Sequence, residues 1–275
     1  MAAEIFKTLV SFPLFIGMGR EELENIVAKT KLSFHTMREG EVIVDTTTRS
    51  GMLVMLTDGT AVATTYSDDK AYWVEEEING PTLVQPEYVF GLAQRFSQLW
   101  KAKTVCHLIT LDKQEILKLS DNSLIFRLNL LNLLSTQVQK RQALFWRAAP
   151  NSEEEALRRF FLVHSIRPAG RKVFHIKLVR LEKELNIERR RISMVLRQWE
   201  EQGLVTWTRG CLDIKAMEKV INSLTPSTLS KKRRLPPSPL SEKGASPPHP
   251  SPKERGGICC KGRNDTPDKE IESPC

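Results

Sequence analysis

What this sequence has little of narrows its function early. Its 275 residues contain five cysteines; Cys106 and Cys211 stand alone, while Cys259, Cys260 and Cys275 crowd into the last stretch. No disulfide framework fits that spacing. There is no C-x-x-C pair and the five histidines are scattered, so no metal set is expected. No run of about 18 apolar residues occurs; the longest candidate, "LIFRLNLLNLL", is interrupted by Arg127, Asn129 and Asn132. The opening "MAAEIFKTLVSF" has no basic segment before an apolar one, as a signal peptide would. A cytoplasmic protein with no membrane contact is the expectation. No nucleophile–base constellation, phosphate loop or carboxylate pair in a recognisable setting is found, so the chain is not expected to be an enzyme. No cofactor is expected.

Basic charge is what the chain does have. Lysine and arginine number 41 against 33 acids, a net charge of +8, which is a mild pointer to a polyanionic partner. From Thr225 onward ten Lys/Arg face six Asp/Glu, so half of the excess lies there. That Pro/Ser/Lys-rich stretch, 225–275, has almost no large apolar residues and is expected to be a disordered tail. Its "KKRR" run reads as a solvated linker, a basic arm or, in a eukaryote, a nuclear import signal.

The rest divides by periodicity. A short helix is expected at Glu21 to Val27. After it, "GEVIVDT", "GMLVMLTDGTAVATTYS", "AYWVEEEI" and "TVCHLITL" are short β-prone runs separated by glycines and a Ser67-Asp68-Asp69 turn. Many short strands in about 90 residues predict a small antiparallel barrel or jelly roll. From Lys113 to Trp146 the pattern is helical. It places Leu124, Leu128, Leu131, Val138 and Phe145 on a 4-3 spacing, with Ser135 and Gln142 in the remaining seam positions. Such a stripe suits a contact between two long helices, the alternative being a helix lying on its own barrel.

A third region starts at "SEEEALRRFF", where Ser152 and Glu155 form a capping-box pattern. Leu157, Phe160, Phe161 and His164 share one face, with His164 expected to pack rather than to bind a ligand. A short strand "VFHI" follows, then a helix bearing Leu178, Leu181 and Leu185. A turn at Asn186-Ile187 leads to a second helix from Glu188 to Gln202. "GLVTWTRGCLDI" reads as two strands joined at Arg209-Gly210. Helix, turn, helix and hairpin within about 40 residues is a winged helix-turn-helix pattern.

The second helix of that pattern carries the chemistry. Ile192, Val195, Leu196 and Trp199 fall at i, i+3, i+4 and i+7 and form its buried stripe. Arg190, Ser193 and Arg197 lie opposite, flanked by Arg189 and Met194. Arginine donates two hydrogen bonds to guanine O6 and N7, which discriminates bases by about 1–3 kcal/mol. Arg191 sits at the edge, positioned for a phosphate, and Arg209 at the hairpin tip is placed for another. Three cations at a helix start oppose the helix dipole, by about 0.3–1 kcal/mol each. Balanced by Glu188, Glu200 and Glu201, with Arg197 and Glu201 at i,i+4, they could also be a solvated face. The surrounding pattern favours DNA.

At this point the chain resembles the Crp/Fnr family of bacterial transcription regulators, from about Leu9 to Leu224. "FPLFIGMGREELENI", "REGEVIV", "LTDGTAVA", "AKTVCHLITL" and "LNIERRRISMVLRQWEEQGLV" carry the likeness in order and spacing. The resemblance implies an α+β chain. A double-stranded β-helix (jelly-roll) sensor, with a cyclic-nucleotide-binding-like fold, would span 1–112 and a dimerisation helix 113–147. A winged helix-turn-helix would span 150–224. It implies a homodimer on double-stranded DNA with palindromic operators, and RNA polymerase as a further partner. The departures matter too. Cyclic-nucleotide binders of the family have a Gly-Glu cassette followed by an Arg; "FGLAQRFSQLWKAKT" keeps Gly91 but has Leu92 in the Glu position. An apolar side chain cannot accept from a ribose hydroxyl. Gly91, Leu92, Arg95 and Lys101 mark the corresponding effector pocket, which is not expected to take cyclic AMP in the usual manner. An iron–sulfur centre lacks its cysteine cluster, and a haem on His107 or Cys106 has no support. In the second helix Arg189 matches the family's base-reading Arg, while Glu188, Arg190 and Met194 replace a Ser, a Glu and a second Arg. The expected function is a dimeric, sequence-specific DNA-binding regulator whose sensor domain responds to something other than a cyclic nucleotide, or to nothing; the alternative is a small-molecule or protein-binding module whose winged helix serves protein contacts.

Overall fold

The computed structural model describes residues 2–222; the tail from Thr225, with its "KKRR" run, lies outside the described residues. Helix α1 (Ala2–Val10), a single 3-10 turn (Pro13–Phe15) and α2 (Arg20–Lys29) open the chain. Then come β1 (Ser33–Met37), β2 (Val42–Val44), β3 (Met52–Asp58), β4 (Thr60–Tyr66), β5 (Trp73–Asn79), β6 (Thr82–Val84), β7 (Leu99–Ala102) and β8 (Cys106–Asp112). Two helices follow, α3 (Lys113–Asn122) and α4 (Leu124–Phe145). The last part is α5 (Glu153–Val163), β9 (Lys172–His175), α6 (Leu178–Leu185), α7 (Arg189–Glu201), β10 (Val205–Thr208), β11 (Cys211–Ile214) and α8 (Met217–Asn222). The architecture is mixed α and β, and every strand pairing is antiparallel.

The strands form a four-stranded sheet, β1-β8-β3-β6, and a seven-stranded sheet, β10-β11-β9-β5-β4-β7-β2. Val54, Leu56, Val84, Cys106 and Leu108 of the first pack against Ala61, Ala63, Ile78, Trp100 and Ala102 of the second. The other face of β3, Leu53 and Met55, is buried against α1, α2, α3 and α4. Burial on both faces explains why "MLVML" is a continuous apolar run instead of an alternation. Gly59 turns the chain from β3 into β4, and thus from one sheet to the other. Its φ is +96°, and a Cβ there would lie 2.3 Å from the Val105 carbonyl oxygen, so the corner admits only glycine.

The expected continuous helix from Lys113 to Trp146 is interrupted. The chain breaks at Ser123, whose backbone is extended and whose hydroxyl accepts from Phe126 N–H as an N-cap. That hydroxyl also donates to Glu22 at 2.6 Å. Asp121-Asn122-Ser123 favours caps over helix interiors because such side chains compete for backbone groups. Within α4, Phe126 and Leu130 are buried and Leu133 and Leu134 pack beside them. Asn129, which interrupts the apolar run in sequence, donates to the Leu14 and Ile16 carbonyls at 3.1 and 2.8 Å. A second apolar stripe on α4 is uncovered: Leu124, Leu128, Leu131, Val138 and Phe145 are all exposed, Phe145 by 84%. Trp146, just past the helix end, is exposed too.

Helix α1 and strand β6 are elements that the periodicity did not single out, and α8 is another. Among the described residues no helix is long and apolar enough to cross a membrane.

Candidate nucleic-acid interface

The site is built on α6, α7 and the β10–β11 hairpin. Helix α6 presents Leu178, Leu181 and Leu185 inward and ends at Asn186, whose φ of 53° and ψ of 42° are left-handed. Asparagine tolerates that conformation better than most residues, which is why the turn can be this tight. Helix α7 starts three residues later. Its buried stripe is Ile192, Leu196 and Trp199, with Val195 partly covered. The stripe packs on Leu157, Phe161, Leu181, Leu212 and Ile214. Trp199 also donates its indole N–H to Glu154 Oε1 at 3.0 Å. At the far end Leu204 N–H reaches the Trp199 carbonyl and Gly203 N–H the Glu200 carbonyl, the Schellman pattern that ends helices on glycine. Gly203 has the required positive φ, +69°.

The opposite face of α7 is open to solvent. Arg189, Arg190, Arg191, Met194 and Arg197 are exposed, and Ser193 is half-buried. The arginines differ in what holds them. Arg189 Nε lies 2.9 Å from Glu182 Oε2 on α6, and Arg191 Nη1 lies 2.6 Å from Glu153 Oε1 on α5. Arg190 and Arg197 have no hydrogen bond or ion pair among the described residues; Arg197 makes no pair with Glu201. Glu153 titrates below the usual carboxylate range, held there by its own backbone N–H and by Arg191. The two carboxylates also bear on the dipole problem. Each sets a negative charge beside the first turn of α7, where Glu188 supplies the N-cap residue but no side-chain cap bond. Both pairs are exposed, so they offset the penalty only in part.

Arg209 and Gly210 form the two-residue loop of the hairpin, between paired Thr208 and Cys211, and Arg209 is exposed. Lys177, the residue before α6, approaches that tip. An exposed basic helix face beside a basic hairpin tip can donate to base edges and to phosphates.

The residues of the expected effector pocket lie elsewhere. Gly91, Leu92 and Arg95 sit on an exposed loop before β7, with Leu92 99% exposed, and Arg95 donates to the Thr47 carbonyl at 3.3 Å. Lys101 lies between inward-facing Trp100 and Ala102 and points outward. The space between the sheets is filled by Phe96 and Trp100, each 2% exposed. Cys106 is buried in the same core, where desolvation raises its thiol pKa, and His107 bonds Thr36 on the surface.

Sequence reasoning identified the basic face but not its acidic partners. Glu182 stands seven residues before Arg189, across a turn, and Glu153 is 38 residues from Arg191; neither spacing is a recognisable signal. His164 is satisfied as expected, between the Phe160 carbonyl at 2.7 Å and the Tyr72 hydroxyl at 3.0 Å. Ser152 accepts from Glu155 N–H, while the Glu155 carboxylate reaches Asn151 N–H.

No family model matches the chain, and no curated protein matches it. Among solved structures it is similar to the catabolite activator protein of Thermus thermophilus, at 19% identity, covering 76% of this chain and 96% of that one, TM-score 0.43. It is similar to a Eubacterium rectale protein described as a transcriptional regulator of the crp/fnr family, at 16% identity, 76% and 96% coverage, TM-score 0.45. The sensor domain of the transcriptional regulator DNR from Pseudomonas aeruginosa is also similar, at 16% identity, 55% and 97% coverage, TM-score 0.44. Every one of these TM-scores is below 0.5.

Proposed function

We propose that the chain is a sequence-specific, double-stranded-DNA-binding transcription regulator that works as a homodimer. The observation that carries this is the open face of α7, where Arg190 and Arg197 have no partner among the described residues while the opposite face is anchored in a core. In this reading α6, α7 and the hairpin are a winged helix-turn-helix. Helix α7 enters the major groove; Arg190 and Arg197, with Ser193 and Met194, meet base edges, and Arg189 joins them by exchanging Glu182 for a base. Arg191 and Arg209 hold phosphates.

The two facing sheets are read as a jelly-roll sensor domain. Its interior is occupied by Phe96 and Trp100, and the Leu92 side chain offers no acceptor for a ribose hydroxyl. That supports a domain that does not take cyclic AMP in the usual manner. The uncovered stripe on α4, Leu124 to Phe145, supports pairing with the same stripe of a second copy, since a 4-3 repeat is self-complementary. Dimer symmetry would then be matched by a palindromic operator.

Salt dependence of duplex binding tests the reading. The logarithm of the affinity for a selected duplex should fall linearly with the logarithm of salt concentration, with a slope that grows with the number of phosphates contacted. Binding that ignores salt, or selective binding that survives Arg190→Ala and Arg197→Ala together, overturns it in favour of a protein-contact module.

A further inference from the structure

Strands β5 and β9, about a hundred residues apart in the chain, pair edge to edge. Trp73, Val74, Glu75 and Glu76 stand opposite His175, Phe174, Val173 and Lys172. This ladder joins the strands around the Phe96–Trp100 core to those of the reading-helix region as one seven-stranded sheet. On its inner face Lys172 and Glu76 form a directly cross-strand ion pair, 2.5 Å apart, with both side chains buried. Both groups make further hydrogen bonds. Glu76 accepts from the backbone N–H groups of Ile166 and Arg167, and Lys172 donates to the Ala169 carbonyl at 2.9 Å. On the outer face Trp73 stacks on His175, with ring centroids 4.6 Å apart and planes at 11°.

The seam extends beyond the ladder. Arg171 binds Glu77 on β5 and Asp213 on β11, and Arg180 of α6 binds Asp69 in the β4–β5 turn at 2.6 Å. Tyr72 and Val74 belong to the same apolar core as Ile192, Leu196 and Trp199 of α7. The reading helix therefore rests on a core that β5 helps to build. A buried ion pair adds little stability over an apolar pair of the same size, but separating its partners is strongly unfavourable. Opening the ladder, or slipping it by one residue, would strand both charges in apolar surroundings.

We infer that Glu76 and Lys172 are positioning residues for DNA recognition: they fix each reading helix to the sheet and long helix of its own protomer. The pair thereby sets the separation of the two reading helices in a dimer. This rests on the DNA-binding reading above. Base preference within a half-site then resides on α7, and tolerance of half-site spacing resides at the β5–β9 seam.

The test uses the full chain and a palindromic duplex selected from a randomised library, remade with its half-sites moved by one or two base pairs. The wild-type chain should lose about tenfold in affinity on such a shift, comparable to losing one base-pair contact. Lys172→Met should keep the half-site preference and lose most of the spacing penalty. A full spacing penalty in folded Lys172→Met overturns the inference while leaving DNA binding intact; failure of the wild-type chain to select any duplex overturns both. Hydrogen exchange on the wild-type chain decides the matter if Lys172→Met does not fold. Amides of 73–76 and 172–175 should be protected as strongly as those of β3 and β8, and opening of the seam at lower protection overturns the inference.

Discussion

Arg189 Nε lies 2.9 Å from Glu182 Oε2 across the turn between α6 and α7, whereas the next residue, Arg190, has no ion-pair partner among the described residues. Neighbours in sequence with identical side chains are thus in different states before any ligand arrives. Arg189 must exchange a carboxylate for a base, and Arg190 has no such exchange to make with any described residue. Arg190→Ala should therefore weaken selective duplex binding by about 5–150-fold, the worth of one bidentate base contact. Glu182→Gln should leave unfolding free energy within about 1 kcal/mol, because the pair is exposed. Fluorescence anisotropy with matched and mismatched duplexes, alongside urea denaturation, measures both. Arg209→Ala should instead weaken all duplexes alike and lower the salt slope by about one phosphate.

The α4 stripe makes a prediction about assembly. Leu128 and Leu131 are half exposed on the single chain, so polar replacement there removes little packing within the protomer. Leu128→Lys together with Leu131→Lys should shift sedimentation from dimer to monomer with the far-ultraviolet spectrum unchanged. The thermal midpoint of the wild-type chain should rise with protein concentration and that of the variant should not. A wild-type chain that sediments as a monomer at high micromolar concentration would remove the dimer.

Asn186 offers a test of the turn that holds α7 against α6. Its left-handed backbone costs an ordinary L-residue about 1–2 kcal/mol. Asn186→Ala should destabilise the chain by about 1 kcal/mol, and Asn186→Gly should be close to neutral. Equal effects of the two substitutions in urea unfolding would show that side-chain contacts, not backbone conformation, matter at this position.

Acid should loosen the seam between β5 and its neighbours. Glu77 titrates below the usual range because Lys103, and then Arg171, hydrogen-bond its charged form. Asp69 is lowered by the Ala71 N–H, the Ser67 hydroxyl and Arg180, and Glu218 by the Gly170 N–H. With folded values below unfolded ones, the unfolded chain binds more protons as pH falls through the carboxylate range. The stability these groups contribute is complete above their unfolded pKa, about 4, and disappears as pH drops through the lower folded values. Urea midpoints between pH 7 and pH 3 should fall in that window, and Glu77→Gln should make the fall shallower.

Much of the α7 site was legible because it is written in local periodicity. The i, i+3, i+4, i+7 stripe of Ile192, Val195, Leu196 and Trp199 separates the faces of one helix without reference to the rest of the chain. Asn186, Gly203 and the Arg209-Gly210 loop mark its borders by conformational preference. The helix break at Ser123 was written locally too, in a capping residue after Asp121-Asn122. The apolar stripes on either side of it nonetheless read as one continuous helix.

The β5–β9 seam has no local signature. Glu75, Glu76 and Glu77 are one run of identical residues, and only pairing with a strand 96 positions away singles out Glu76 for burial beside Lys172. By itself the sequence determined the helices of the α7 region and the longer strands, where the tight turns beside α7 fall, and that one face of α7 is basic. Those follow from side-chain period and backbone preference within a few residues. Tertiary structure alone decided which arginines are already held by carboxylates, that Phe96 and Trp100 fill the space between the sheets, and that a buried charge pair links two distant strands. Each of these depends on groups brought together across long separations, where burial changes what a charge or an aromatic ring is worth.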